Sequence, residues 1–271
     1  MAQVINTNVA SLNAQRNLLS SQGSLNQALQ RLSSGLRVNS AKDDAAGMAI
    51  AQRMTSQSRG MSVAIRNAND AISLSQTAEA GIGVMNDHLQ RMRELAVQAA
   101  SGQYTAGDRT ALDTEFQQLQ SEVARVAANT MFNGKAVLGA SAGTFTFQIG
   151  AGTTANDTIS ATTSDLTTVY SGGDITSSAN ATTAMNALST AIDALNTSRA
   201  NLGAYQSRFE GVISALSASV ENTDAARSRI MDTDYAAETA KLSRAQILQQ
   251  AGTAMLAQAN ALPQNVLSLI K

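Results

Sequence analysis

The chain has 271 residues, a formal net charge of -1, no cysteine, one histidine and one proline, with 44% apolar but only 3% aromatic residues. This charge leaves no basic footprint for nucleic acid, and the absence of cysteine excludes disulfides, thiol catalysis and cysteine metal sites. An alanine-rich, ring-poor core suits closely packed helices better than a deep substrate cavity.

Residues 3–36 read as a helix, with Val4, Ile5, Val9 and Leu12 and then Leu25, Leu29, Leu32 and Leu36 along one side. Its other faces are Asn, Gln and Ser, so the helix is marginal alone in water. Gly35 supplies a stop. Ser40 with Asp43 has the capping-box spacing that starts a second helix, expected from about Asp43 to Ala99. At 1.5 Å per residue that helix is roughly 80 Å long. Its apolar positions (Met61, Ile65, Ala68, Ile72, then Ile82, Met85, Leu89, Met92, Ala96) recur at helical gaps, leaving Arg91, Arg93, Glu94 and Gln98 for other faces.

The stretch from Ser101 to Asp108 interrupts the pattern. A third helix then carries Leu112, Phe116, Leu119, Val123 and Val126, a coiled-coil seam, and the short loop before it implies an antiparallel return. From Asn133 to about Ala181 the composition turns to Gly, Ser, Thr and Asn. There Phe145, Phe147 and Ile149 alternate with polar residues, predicting a half-buried strand with a partner at Thr158–Thr162. Helix resumes near Thr183 with Leu188, Ile192, Leu195, Leu202, Tyr205, Phe209, Ile213, Leu216 and Val220, Arg199 taking one seam position. A last helix is expected over Asp234–Ile270, with Leu248, Ala251, Met255, Ala259, Leu262, Val266 and Leu269 on one side and a kink or a lost hydrogen bond at Pro263. The fold class is therefore mainly α: an elongated antiparallel bundle from both termini, with a small β-hairpin region in the middle.

Each end is thus a slim amphipathic helix outside a central bundle, and covering one leucine stabilises by about 1.5–3 kcal/mol only if a neighbour arrives. The terminal helices are expected to gain their core by association, which describes a polymer subunit. Chemistry-bearing patterns are sparse. His88 has no second histidine beside it, and Asp43 with Asp44 suits a helix first turn. Gly81 and Gly83 precede no Gly-Lys-Ser/Thr, and Asn156, Asn180 and Asn196 begin Asn-x-Ser/Thr triplets too common to assign sugars. The methionines fall largely on apolar seams, where deformable packing suits an interface of more than one geometry. No catalytic residue, cofactor or metal site is expected, no stretch is apolar enough to span a membrane, and the N-terminus lacks the pattern of a signal peptide.

The residues resemble bacterial flagellin. The resemblance rests on Met1–Ala10, on Arg31-Leu32-Ser33-Ser34-Gly35-Leu36-Arg37-Val38-Asn39-Ser40-Ala41-Lys42-Asp43-Asp44-Ala45-Ala46-Gly47, and on Leu89-Gln90-Arg91-Met92-Arg93-Glu94-Leu95-Ala96-Val97-Gln98. Near the other end it rests on Arg227–Tyr235, Ser243–Gly252, Leu256–Asn260 and Pro263–Ile270. It implies a discontinuous architecture: residues 1–40 with 230–271 as a coiled coil lining a central channel, and 41–183 with 184–229 as a bundle plus hairpin. The resemblance leaves no room for large outer domains in the short middle region.

The implied work is structural, as an extracellular, self-assembling filament subunit for swimming. Export would use the flagellar type III apparatus, with a cytosolic chaperone on the C-terminal helix. Flagellar cap and hook-associated proteins are further implied partners, without nucleic acid or membrane insertion. The family's Toll-like receptor motif falls on Arg91, Leu95 and Glu115, and the portion sensed by intracellular innate receptors on Val266, Leu267, Leu269 and Ile270. Polymerisation contacts are expected at Leu25, Leu29, Leu32, Leu36, Leu248, Met255, Leu262, Val266 and Leu269. The competing readings are a hook–filament junction protein of the same architecture, a secreted helical tip or adhesin protein, and an enzyme embedded in the middle region.

Overall fold

The computed structural model describes residues 7–268, with side chains described through Ala261. Its elements are α1 (Val9–Ser34), α2 (Ala45–Ala100), α3 (Ala106–Asn129), β1 (Met131–Phe132), β2 (Lys135–Ala136), β3 (Thr144–Gln148), β4 (Thr158–Thr162), α4 (Ser178–Met231) and α5 (Tyr235–Ser268). They form two compact units, Met1–Ser56 with Asn222–Lys271 and Gln57–Glu221. The divisions after Ser56 and Glu221 fall within α2 and α4.

In the first unit α1 and α5 pair antiparallel. Asn8 caps α1 by accepting from the Ser11 N–H at 3.0 Å, while its amide donates to the Ala259 carbonyl at 2.8 Å, 251 positions away in sequence. Ser11 Oγ meets Asn260 Oδ1 at 2.8 Å, and at the other end Arg31 approaches Glu238 at 3.8 Å. The covered positions of α1 include Ser11, Ala14, Leu18, Ser21, Leu25 and Ala28; those of α5 include Glu238, Leu242, Ala245, Gln249, Gly252, Leu256 and Ala259. Both rows step by three and four, a coiled-coil seam. Gly252 is where Leu18 approaches closely: a Cβ there would lie 3.2 Å from Leu18 Cδ1.

This phase corrects the sequence reading. Ala259 lies in the seam, but Leu248 and Met255, expected on the same side, are exposed, as are Val9, Leu12, Leu19, Leu29 and Ile247. The reason is geometric. Small residues (Ser11, Ala14, Ala28, Ala245, Gly252, Ala259) alternate with Leu18, Leu25, Leu242 and Leu256 along one stripe, and the side chains about 100° round each helix then face out. Marginal by its own sequence, each helix is covered on one side by the other, the antiparallel pairing expected of the two termini.

Gly35 ends α1 in the left-handed conformation (φ 72°), its N–H bonding the Arg31 carbonyl at 2.9 Å. The connectors then cross-link. Leu36 pairs antiparallel with Asp232, the Thr233 N–H reaches the Gly35 carbonyl at 2.9 Å, and Arg37 Nη2 donates to the Ile230 carbonyl at 2.7 Å. The start of α2 also differs from expectation. Ser40 and Asp43 close the turn before it, and Asp44 is the cap, accepting from the Gly47 N–H at 2.8 Å. A carboxylate one residue nearer the helix meets its free N–H groups directly. At the far end α5 continues through Pro263 to Ser268.

The second unit holds the larger core. Along α2 the row Ala78, Ile82, Met85, Leu89, Met92, Ala96 and Ala99 is buried against Phe116, Val123 and Ala127 of α3 and Leu188, Ala191, Leu195 and Leu202 of α4. Thr105 and Asp108 form a capping box at the start of α3. The chain reverses there, since Arg109 Nε donates to the Ala99 carbonyl at 2.8 Å. Asn133 and Gly134, at φ 49° and 74°, make the two-residue turn between β1 and β2. β3 and β4 pair antiparallel from Thr144↔Thr162 to Gln148↔Thr158, and Phe147 meets buried Phe209 edge-on at 5.7 Å. On α4, Arg199 meets Glu79 of α2 at 2.9 Å. That helix begins at Ser178 rather than near Thr183. Its extra first turn is held by Ser177, which accepts from the Asn180 N–H, and by Ser178, which donates to the Ala100 carbonyl.

Candidate functional site

Among the described residues no group of three or more His, Cys, Asp or Glu is placed to hold a metal ion. An open groove of about 670 Å³ beside the hairpins has Lys135 as its one ionisable lining residue. That is no acid–base pair. His88 is half-buried on α2. Asp43 is occupied in its turn, where the Ser40 hydroxyl, then the Ser40 N–H, holds its carboxyl below the ordinary carboxylate range.

Two surfaces remain. The first lies where α2 and α3 run side by side. Arg91 bonds Glu115 of α3 at 2.9 Å through Nε, and its Nη1 reaches Glu94 at 3.0 Å. The Glu115 carboxylate, then Glu94, raises the Arg91 pKa, so this exposed guanidinium is fixed in charge and direction. The structure thus joins two residues 24 positions apart that the sequence could only name separately. Leu95 is not on that surface. It is 1% exposed, within the core beside Met92 and Ala99.

The second surface is the outward side of the paired terminal helices. Leu19 is 72% exposed, Met255 64% and Leu248 49%, with Val9, Leu12, Leu29 and Ile247 also exposed. Leu25, Leu32 and Leu36 are half-buried. The side chains of Leu262, Val266 and Leu269, expected to continue this surface, lie outside the described residues, as does the Val266–Ile270 receptor portion.

Sequence reasoning missed Glu238, a carboxylate 5% exposed, held between Arg31 at 3.8 Å and Lys241 at 2.9 Å. Its signal was there to read: it sits four residues before Leu242, on the heptad that Ala245 and Gln249 continue. A lone acid in such a row can fix the register of two helices.

A family model of the bacterial flagellin N-terminal helical region matches residues 5–143, and one of the C-terminal helical region matches 185–270. The chain belongs to the bacterial flagellin family. It is 42% identical to a flagellin of Halalkalibacterium halodurans, over 99% of this chain and 100% of that protein. It is 40% identical to the flagellar filament 33 kDa core protein of Treponema phagedenis, again over 99% and 100%. The crystal structure of Bacillus cereus flagellin superimposes with a TM-score of 0.51 at 32% identity, covering 56% of this chain and 88% of that one. A putative flagellar hook-associated protein of Vibrio parahaemolyticus shares the fold, with a TM-score of 0.60 at 12% identity over 70% of this chain and 100% of that one. At that identity the likeness reaches no further than the fold.

This flagellin is a structural subunit of the bacterial flagellar filament. It self-assembles outside the cell for motility, and neither the junction nor the adhesin alternative is favoured. No helix among the described residues is long and apolar enough to cross a membrane. The exposed row on α1 and α5 therefore belongs to a protein that assembles from its own copies.

Proposed function

We propose that the terminal pair, residues 1–40 with 230–271, forms the inner tube of the filament, and that residues 41–229 form the surrounding tube. The observation that carries this reading is the row of exposed leucine, isoleucine and methionine on helices already paired in cis through small residues. A single chain leaves this row wet, and neighbouring subunits remove it from water. Leu29, Leu248 and Met255, with half-buried Leu32 and Leu36, are the contacts assigned to assembly, extended by Leu262, Val266 and Leu269; Leu25 serves the seam between α1 and α5.

The role is mechanical, without catalysis or cofactor. The subunit leaves the cell through the type III apparatus without a cleaved signal peptide. A chaperone covers α5 beforehand, and cap and hook-associated proteins meet the subunit at the filament ends. The flagellin-sensing Toll-like receptor binds at the Arg91–Glu115 pair, with Leu95 supporting α2 from beneath. Support for that assignment is the family motif together with the exposed, pre-aligned ion pair.

Deletion of residues 1–30 or 245–271 tests the assembly reading. Seeded growth followed by electron microscopy should show no filaments while residues 57–221 keep their melting transition; ordinary filaments from either truncation refute it. For recognition, depolymerised Arg91→Ala and Glu115→Ala should each lose receptor signalling with an unchanged melting curve. Full signalling by both rejects that site.

A further inference from the structure

Among the described methionines, Met61, Met85 and Met92 are buried and Met48, Met54, Met185 and Met231 half-buried. Met131 and Met255 alone of these are exposed, at 52% and 64%. Met131 stands on the short strand β1 of the second unit. Met255 stands on α5 seven residues after Leu248, hence on the same outward stripe, beside Ile247. A thioether is the one apolar side chain that mild oxidants convert into a polar group without breaking the chain. Reaction follows exposure, and the consequence follows what later covers the group.

We infer that Met255 is an oxidation site that controls assembly: a peroxide-class oxidant converts its thioether to the sulfoxide in the free subunit, and the oxidised subunit is excluded from the filament. The sulfur lone pair attacks one peroxide oxygen. The S–O bond forms as the O–O bond breaks, and the departing hydroxide takes the proton of the transferred hydroxyl and leaves as water. Sulfur is oxidised by two electrons and peroxide is reduced by two. The free subunit tolerates the product, because the new oxygen faces water. An assembled subunit does not, because a strong acceptor is then buried among leucine and isoleucine side chains with nothing to donate to it. Oxidation at Met131 is the internal comparison: also exposed, at 52%, but carried by the second unit.

The inference rests on the reading that the outward α5 stripe is an assembly contact, and the test separates the two. Full-length monomer is treated with hydrogen peroxide, sulfoxide at each methionine is measured by peptide mass spectrometry, and the critical concentration is measured by sedimentation after seeding. In the untreated chain Met255→Leu removes the reactive sulfur at similar volume. The wild type should show a critical concentration raised by about ten- to a hundredfold, the range that follows from one unpaired polar group in an interface. The rise should track sulfoxide at Met255 and be reversed by methionine sulfoxide reductase. Met255→Leu should resist the oxidant, Met131→Leu should remain as sensitive as the wild type, and untreated Met255→Gln should reproduce the defect. Equal sensitivity of Met255→Leu and wild type, or normal assembly of Met255→Gln, overturns the inference. Untreated Met255→Asp assigns the fault: normal filaments reject the contact reading itself. If Met255→Asp is blocked while wild type fully oxidised at Met255 still assembles, only the redox inference falls.

Discussion

Replacing Leu248 by aspartate should damage assembly far more than it damages the subunit. Leu248 is 49% exposed in the single chain. The folded subunit therefore loses only about half of a leucine's burial, roughly 1 kcal/mol of the 1.5–3 that full burial provides, plus about half a kcal/mol of helix propensity. Leu89, which is fully buried, gives the contrasting control, since Leu→Ala in a packed core destabilises by about 2–5 kcal/mol. In the filament the account reverses. The wild-type leucine loses its remaining water there, whereas an aspartate carries an unpaired carboxylate into the same place at a cost of several kcal/mol. Each 1.4 kcal/mol is a factor of ten in an equilibrium constant, so the critical concentration should rise by about a hundredfold or more. Leu19→Asp, at a position 72% exposed, should behave alike with a still smaller effect on the monomer. Circular-dichroism melts of depolymerised protein give the first quantity, and sedimentation after seeded growth the second. If Leu248→Asp lowers monomer stability as much as Leu89→Ala does, or polymerises at the wild-type concentration, the assignment of this row to assembly is wrong.

The two nearby glycines of α2 should respond with opposite signs. A Cβ at Gly83 meets nothing within 4 Å, so Gly83→Ala should stabilise by about 0.5–1 kcal/mol through helix propensity. One at Gly81 falls 2.7 Å from Thr130 Oγ1 and 2.9 Å from Leu138 Cδ1, and Gly81→Val should destabilise by about 1–3 kcal/mol through overpacking; urea unfolding of the two variants checks the sign. Acid should weaken the second unit: hydrogen bonds from Arg199 and then Gln206 hold the Glu79 carboxyl below its ordinary pKa of 4.5. A depressed folded-state pKa contributes stability above the unfolded value and loses it as pH falls through the folded one. Melting temperature should therefore drop below about pH 4.5, and Glu79→Gln should flatten that limb; an unchanged slope refutes the assignment. Removing the register acid by Glu238→Ala leaves Arg31 facing a seam without its partner, and should lower the protection of α1 and α5 amides against hydrogen exchange by about tenfold or more.

Much of this architecture was legible because helical periodicity is a local property. The gaps of three and four that contain Leu89, Met92 and Phe116 announce helices wherever the chain places them, and the Phe145–Phe147 alternation announces a strand in the same way. Gly35 and Thr105–Asp108 marked ends through backbone chemistry confined to a few residues. The Asn133–Gly134 turn was equally local and was passed over, since two-residue strands carry too few side chains to show a period. The Arg91–Glu115 pair lay between these cases: its members stood in recognisable motifs, but no motif states a distance of 2.9 Å.

What the sequence by itself determined was the set of helices, the strand pair, the absence of thiol chemistry and, through its end motifs, the family. Only the tertiary structure decided which side of each terminal helix meets the other. Leu248 and Ala259 share an apolar pattern that satisfies either phase, and the choice fell to close approach: Gly252 admits Leu18, Ala28 and Ala245 are buried in the seam, and Leu12, Leu19, Leu29 and Leu248 turn outward. Helix pairing is governed by the space between two backbones, which neither strand of sequence contains alone. The same physics buried Leu95, exposed Met255, and left an apolar row of the terminal helices in contact with water.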